Sequence, residues 1–202
     1  MIEPGKELYD SIKGNWSEVF FQNDHPIVVE MGCGRGEYSV GLARHFKEQN
    51  FIGVDIKGDR IWKGSSDADK EGLENVAFLR TQIQQIENFF EPDEIDEIWI
   101  TFPDPRPKDR DEKRRLTYSR FIEIYRRIMK TGGRVHLKTD NTGLFEYSLE
   151  TLSERKDVKD LEFTRDLYTS DMNKEHFGIQ TKYEALHHSM GEKIKYLRFR
   201  LY

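Results

Sequence analysis

Short apolar runs alternate with amphipathic stretches along this chain, and the alternation predicts its elements. Ile27-Val28-Val29-Glu30 reads as a brief buried strand, followed by a glycine turn and a helix over about 36–47, with Tyr38, Leu42, Ala43 and Phe46 on one side. Phe51-Ile52-Gly53-Val54-Asp55 is a second strand, with a helix over about 60–70 after it. Val76–Leu79 is a third strand, and Ile83, Ile86, Phe89 and Phe90 predict a short helix. Ile95–Phe102 is a fourth strand with Ile98-Trp99-Ile100 inside it. Phe121, Ile122, Tyr125, Ile128 and Met129 fall at helical spacing, and Gly132-Gly133 is expected to end that helix. Arg134–Thr139 is a fifth strand, and Leu144, Phe145, Leu149 and Leu152 mark another helix. Leu161–Leu167 and Ile194–Leu201 are read as two further strands, with a helical patch at Tyr183–Ser189 between them. Strands alternating with helices predict an α/β fold: a mostly parallel sheet covered on both faces, with ligands beyond the carboxyl ends of its strands.

At 202 residues the chain is expected to form one domain, 1–202, in which 1–24 is an N-terminal extension whose mobility the pattern leaves open. No apolar run approaches the roughly 20 residues that cross a bilayer. The segment MIEPGKELYD has neither a basic nor an apolar leader, so no secretory signal is expected. The single cysteine, Cys33, cannot form an internal disulfide, which fits a reducing cytoplasm. Net charge is -5, which argues against nucleic acid at first sight. However, residues 106–130 hold ten Lys or Arg against four acids, and a local field steers a ligand more than the total does. Such a run is equally a solvated face until its neighbours are considered.

Those neighbours are two strand-end motifs. Glu30-Met31-Gly32-Cys33-Gly34-Arg35-Gly36 joins the first strand to the first helix. A dinucleotide fingerprint needs glycine at 37, where this chain has Glu37. An acid ending the strand opposes a pyrophosphate but suits a cationic ligand such as S-adenosylmethionine, with its ammonium and sulfonium. At the end of the second strand, Asp55 can accept ribose hydroxyls. Cys33 is read as a small loop residue, since no base lies near it in sequence. At the end of the fourth strand, Phe102-Pro103-Asp104-Pro105 sets a carboxylate between rigid prolines, and the basic segment follows at once.

Together, E-x-G-x-G-x-G, the Asp55 strand end and F-P-D-P-x-P-K followed by K-R-R resemble the bacterial tRNA (guanine-N7-)-methyltransferase family. Thr139-Asp140 and Thr181-Lys182-Tyr183-Glu184 extend the resemblance, so that it spans roughly residues 27–201. It implies a three-layer class I methyltransferase fold with a seven-stranded, mostly parallel, Rossmann-like sheet. It also implies methyl transfer from S-adenosylmethionine to N7 of the variable-loop guanosine at position 46 of tRNA. Carried over residue by residue, Glu30, Gly32, Gly34, Asp55, Gln82 and Asp104 would contact the cofactor or reacting centre. Lys108, Asp140, Thr181, Lys182, Tyr183 and Glu184 would contact the substrate, and Arg110, Lys113, Arg114 and Arg115 would hold tRNA phosphates. No metal and no membrane are expected, and the state is monomer or homodimer. The chain departs from the family in three ways: Arg106 stands where it has Trp, Asp111 and Glu112 interrupt the basic grip, and Gln82 replaces an acid.

Guanine N7 carries a free lone pair on the major-groove edge, so no general base is required and none of the six histidines is nominated. Asp104, Asp140 or Glu184 could read the guanine's N1–H and amino donors, and Asp104 is favoured as the catalytic residue because prolines fix its backbone. Asp140 could instead cap a helix, and Thr181 with Glu184 has capping-box spacing. Trp62 and Trp99 are read as core. Three rivals stand beside this reading: a methyltransferase acting on protein or small molecules, a dehydrogenase, and a non-catalytic RNA-binding module.

Overall fold

The computed structural model describes residues 1–202. Seven strands form one sheet: β1 (Ile27–Met31), β2 (Asn50–Asp55), β3 (Val76–Arg80), β4 (Ile95–Thr101), β5 (Met129–Thr139), β6 (Val158–Thr164) and β7 (Lys195–Leu201). Their order is β3-β2-β1-β4-β5-β7-β6, parallel except that β7 runs antiparallel to both its neighbours. The helices are α1 (Glu37–His45), α2 (Gly58–Lys70), α3 (Ser119–Ile128), α4 (Thr142–Ser153) and α5 (Lys182–Ser189). The seven-stranded, mostly parallel sheet that the pattern predicts is present. No helix is long and apolar enough to cross a membrane.

Strand alternation divides the interior in two. Ile27, Val29 and Met31 of β1 join Ile98 and Ile100 of β4 and Val135 and Leu137 of β5 on the face covered by α3 and α4. Val28, Trp99 and Tyr196 point to the other face, with Tyr38 and Leu42 of α1 and Ile61 of α2. Glu30, Thr101, His136 and Lys138 share this second face by parity. It therefore carries a row of buried polar side chains beneath helices α1 and α5.

Three local expectations change. The helix before β5 stops at Ile128, because Met129 is already extended (φ -90°, ψ 151°). Gly132-Gly133 lies inside β5, where the register against β4 slips between Ile95 and Glu97. The sixth strand begins at Val158 rather than Leu161, and Leu167 drops into the core beside α1 as part of a 3-10 turn. Its edge position and one exposed face mute the apolar alternation that would locate it. Trp62 is no core residue: it stands 61% exposed on α2, whereas Trp99 is buried.

The N-terminal extension packs against the domain. The backbone N–H of Ile2 donates to the Phe78 carbonyl (2.7 Å), and Ile2 bridges to Leu79 at the β3 edge. Ile12, Trp16 and Phe21 are buried in the α3-side core. The Trp16 indole donates to the Phe89 carbonyl (2.8 Å) and stacks on Phe90 at 5.4 Å. Trp16→Ala is expected to destabilise the fold by about 3–5 kcal/mol, the usual range for a buried aromatic truncation. Urea unfolding checks this, and a loss under about 1 kcal/mol would show that the extension is dispensable.

Candidate active site

The strand order reverses between β1 and β4, and in open α/β sheets ligands bind at that point, beyond the strands' carboxyl ends. A cavity of about 860 Å³ lies there. Gly32 to Arg35 line it from the β1 loop, Asp55 from β2, Thr81 to Gln84 from β3, and Phe102 to Asp104 with Arg106 from β4. Thr181, Lys182 and Tyr183 close it from the start of α5, and Arg114 stands at its edge.

The β1 loop turns through left-handed backbone at Gly32, Gly34 and Gly36. At Gly36 a Cβ would sit 2.3 Å from the Phe78 ring, so only glycine lets α1 start against β3. At Gly34 a Cβ would meet nothing within 4 Å and would instead fill part of the cavity.

Glu30 does not line the cavity. It is buried behind the loop, where its carboxylate accepts from the Ser39 N–H (2.9 Å), the Ser39 hydroxyl and the Thr101 hydroxyl. Burial pushes its pKa up to about 7 despite those three donors. Asp55, by contrast, opens onto the cavity. Its oxygens accept from Gly34 N–H (3.0 Å) and Lys57 N–H (2.9 Å), which leaves each a lone pair for a ligand. Gln82 lies exposed beside the half-buried Ile83 at the cavity wall. Burial pushes the Cys33 thiol up, which fits its reading as an inert loop residue.

Asp104 lies across the same cavity, its side chain 59% exposed. Phe102 (φ 46°) and Arg106 (φ 48°) both adopt left-handed backbone on either side of it, a conformation that costs a non-glycine residue of order 1–3 kcal/mol. Arg106 holds the acid through its guanidinium (Nη2 to Oδ2, 3.1 Å). Arg115 in turn donates twice to the Arg106 carbonyl (3.1 and 3.2 Å) and lies 4.2 Å over the Tyr147 ring. The interrupting acids are engaged as well: Asp111 pairs with Arg114 (3.3 Å), and Glu112 accepts from the Tyr147 hydroxyl (3.1 Å).

The residues expected to meet phosphates thus separate. Arg110 and Lys113 are exposed on a 3-10 turn (Asp109–Arg114), Lys108 precedes that turn outside the cavity, and Arg114 reaches the rim. Arg115 is an internal brace and not a surface contact.

The C-terminal motif also divides. The Thr181 hydroxyl caps α5 by accepting from the Glu184 N–H (3.0 Å). Glu184 turns inward, wholly buried, and does not reach the cavity. It pairs with the equally buried Lys138 (2.8 Å) and accepts from the Tyr168 hydroxyl (2.7 Å). Burial pulls the Lys138 pKa down while the Glu184 charge pulls it back. The inner place of β5 in a sheet covered on both faces could have flagged Lys138, although it lies on the opposite face from Val135 and Leu137 and a lysine there is ordinarily read as facing water. Asp140 does not cap α4, because Asn141 does so (2.8 Å to Leu144 N–H). Instead Asp140 accepts from the Tyr183 hydroxyl (2.9 Å) and so holds the exposed Tyr183 ring beside Phe102 at 5.5 Å.

The cavity fits S-adenosylmethionine on three observations: a carboxylate with spare lone pairs at Asp55, open space over Gly34, and an amide with apolar neighbours Ile83 and Leu116 at the β3 end.

The comparisons agree with this architecture. A family described as "Putative methyltransferase" matches residues 24–197. A tRNA (guanine-N(7)-)-methyltransferase of Cytophaga hutchinsonii is 52% identical over 200 residues, 98% of this chain and 90% of that protein. One from Porphyromonas gingivalis is 48% identical over 191 residues, 94% of this chain and 77% of the relative. Among solved structures, the 16S rRNA methyltransferase KamB superposes with a TM-score of 0.67 at 16% identity, over 93% of each chain. A SAM-dependent O-methyltransferase from Thermotoga maritima gives 0.60 at 17% identity, over 93% of this chain and 63% of the other. These structures share the fold.

Two outcomes follow from the buried charges. Lys138→Met or Glu184→Leu alone is expected to cost about 3–5 kcal/mol in urea unfolding, and the double replacement to recover most of it. Additive losses would mean that the pair is not coupled. For Glu30, the folded pKa lies above the unfolded value, so the cofactor-free folded protein binds the extra proton between about pH 4.5 and 7. Stability from this group is therefore full below that window and falls as pH rises through it, by about 3 kcal/mol in all. Glu30→Gln should lack that component, and identical pH profiles of unfolding would refute it.

Proposed function

The chain belongs to the tRNA (guanine-N(7)-)-methyltransferase family, and from that premise we propose that it transfers a methyl group from S-adenosylmethionine to N7 of a guanine in tRNA, the variable-loop guanosine at position 46. One observation carries the reading: Asp55 and Asp104 face a single cavity at the switch point, with the basic segment starting at its edge.

S-adenosylmethionine, when bound, supplies an electrophilic methyl group on a sulfonium. Asp55 would accept its ribose hydroxyls, Gln82 its adenine amino group, and the Gly32–Gly34 backbone would lie against it. Glu30 acts from behind the loop, where its buried carboxylate fixes the turn and sets a carboxyl group behind the cation's site.

Guanine N7 attacks as a neutral lone pair, so the protein's task is to orient it. Well-aligned reactants gain as much as about 7–11 kcal/mol from such placement. Asp104 would accept the guanine's N1–H and amino group through the lone pairs that its Arg106 contacts leave free on each oxygen. Glu184 has no route to the base, and Asp140 acts through Tyr183. The exposed Tyr183 ring suits a base drawn out of its tertiary stack. Arg114 would meet the nearest phosphate, with Lys108, Arg110 and Lys113 further out. A tRNA substrate and a single unpaired cysteine fit a cytoplasmic enzyme.

Incubating the protein with tRNA and labelled S-adenosylmethionine, then mapping the modified nucleotides, tests the assignment. Label at N7 of the variable-loop guanosine is expected, and label on protein alone would refute it. Asp104→Ala should lower turnover at least about a hundredfold, as misplacement of a reacting group does, while S-adenosylhomocysteine still binds. Undiminished turnover would remove Asp104 from the site.

A further inference from the structure

A second cavity, of about 580 Å³, adjoins the first and shares Arg35, Glu37 and Lys182 with it. It lies among α1, α2 and the segment 178–182, and only Val40 and Ile179 of its lining residues are hydrophobic. Such a wall offers a ligand little apolar surface to bury and suits a charged one. Its acids already have donors. Glu37 accepts from the Lys182 backbone N–H (3.0 Å), and Asp67 pairs with Lys63 along α2. Arg44 is held by Glu71. Arg35, His45 and Lys182 have no ionic partner, and each reaches solvent. Arg35 and Lys182 therefore stand as uncommitted cationic side chains on a polar wall that also carries His45, continuous with the site of the target base.

We propose that this cavity takes a phosphodiester of the tRNA strand leading away from the target guanosine, which crosses from one cavity to the other over Arg35 and Lys182. The proposal rests on the tRNA reading above and extends it to a surface outside the 106–130 segment. The polar, positive lining is the kind that positions nucleic-acid backbone without reading sequence.

The anion could instead be the carboxylate of the cofactor, and two titrations separate the sources. The first follows tRNA binding to Arg35→Ala, His45→Glu and the double variant by fluorescence anisotropy across a KCl series. Each single change should weaken binding about two- to fivefold, the scale of an exposed ion pair. Arg35→Ala should also flatten the dependence of log affinity on log salt by about 0.7–0.9, the share of one phosphate. The second follows S-adenosylhomocysteine by calorimetry, and its affinity should not change in His45→Glu, whose side chain lines the second cavity alone. Wild-type affinity and slope in the double variant would overturn the proposal. So would a loss of S-adenosylhomocysteine affinity in Arg35→Ala with an unaltered tRNA slope, which would make Arg35 a cofactor ligand. Neither result touches the parent reading, which fails only if the unmodified protein leaves tRNA guanine N7 unmethylated.

Discussion

Glu30 ends its strand out of reach of water, so its carboxylate must find donors inside the protein, and where it finds them fixes the open end of the sheet. Its two oxygens take the Ser39 amide and hydroxyl at the start of α1 and the Thr101 hydroxyl at the end of β4. Three elements are tied at the one place where the strand order reverses. The glycine loop passes over this knot, and Asp55 grips it from the next strand through the Gly34 amide. Moving Glu30 would displace both walls of the cavity together, because Thr101 leads directly into the Phe102–Asp104 turn.

A second buried charge serves the opposite wall. Lys138 and Glu184 fasten α5 to β5, and Tyr168 and the Ile179 carbonyl complete the cluster. Without such partners two charges in this interior would be heavily penalised. The helix they hold carries Thr181, Lys182 and Tyr183 at the cavity, so an acid remote from solvent sets the position of residues that face it.

Most of the fold was legible because strands buried on both faces read as apolar runs, as β1 to β3 and the Ile98–Ile100 half of β4 do, while β5 shows only Val135 and Leu137 between polar neighbours. The edge strand β6 was displaced by three residues, since Val158 and Leu161 alternate weakly among charged neighbours. The glycine pair 132–133 read as a helix stop because sequence alone does not distinguish a cap from a bulge. At the site, Asp55 and Asp104 were legible from their place at strand ends. The roles of Arg115 and Glu184 were not, because motif spacing names residues without saying which way a side chain turns. Arg115 turns toward Arg106 and Tyr147, and Glu184 toward Lys138.

The brace between Arg115 and Arg106 has a bearing on how a polyanion would be captured. Both guanidiniums sit within the densest cationic stretch of the chain, yet each is tethered to a neighbour in its own loop. Their charge still contributes to the distant potential, but their geometry is not available for remodelling around an arriving backbone. Long-range attraction and final seating would then be divided between different side chains. The loose outer lysines and arginines would act on the approach, and the rigid inner pair would keep the acidic turn in shape while the RNA settles.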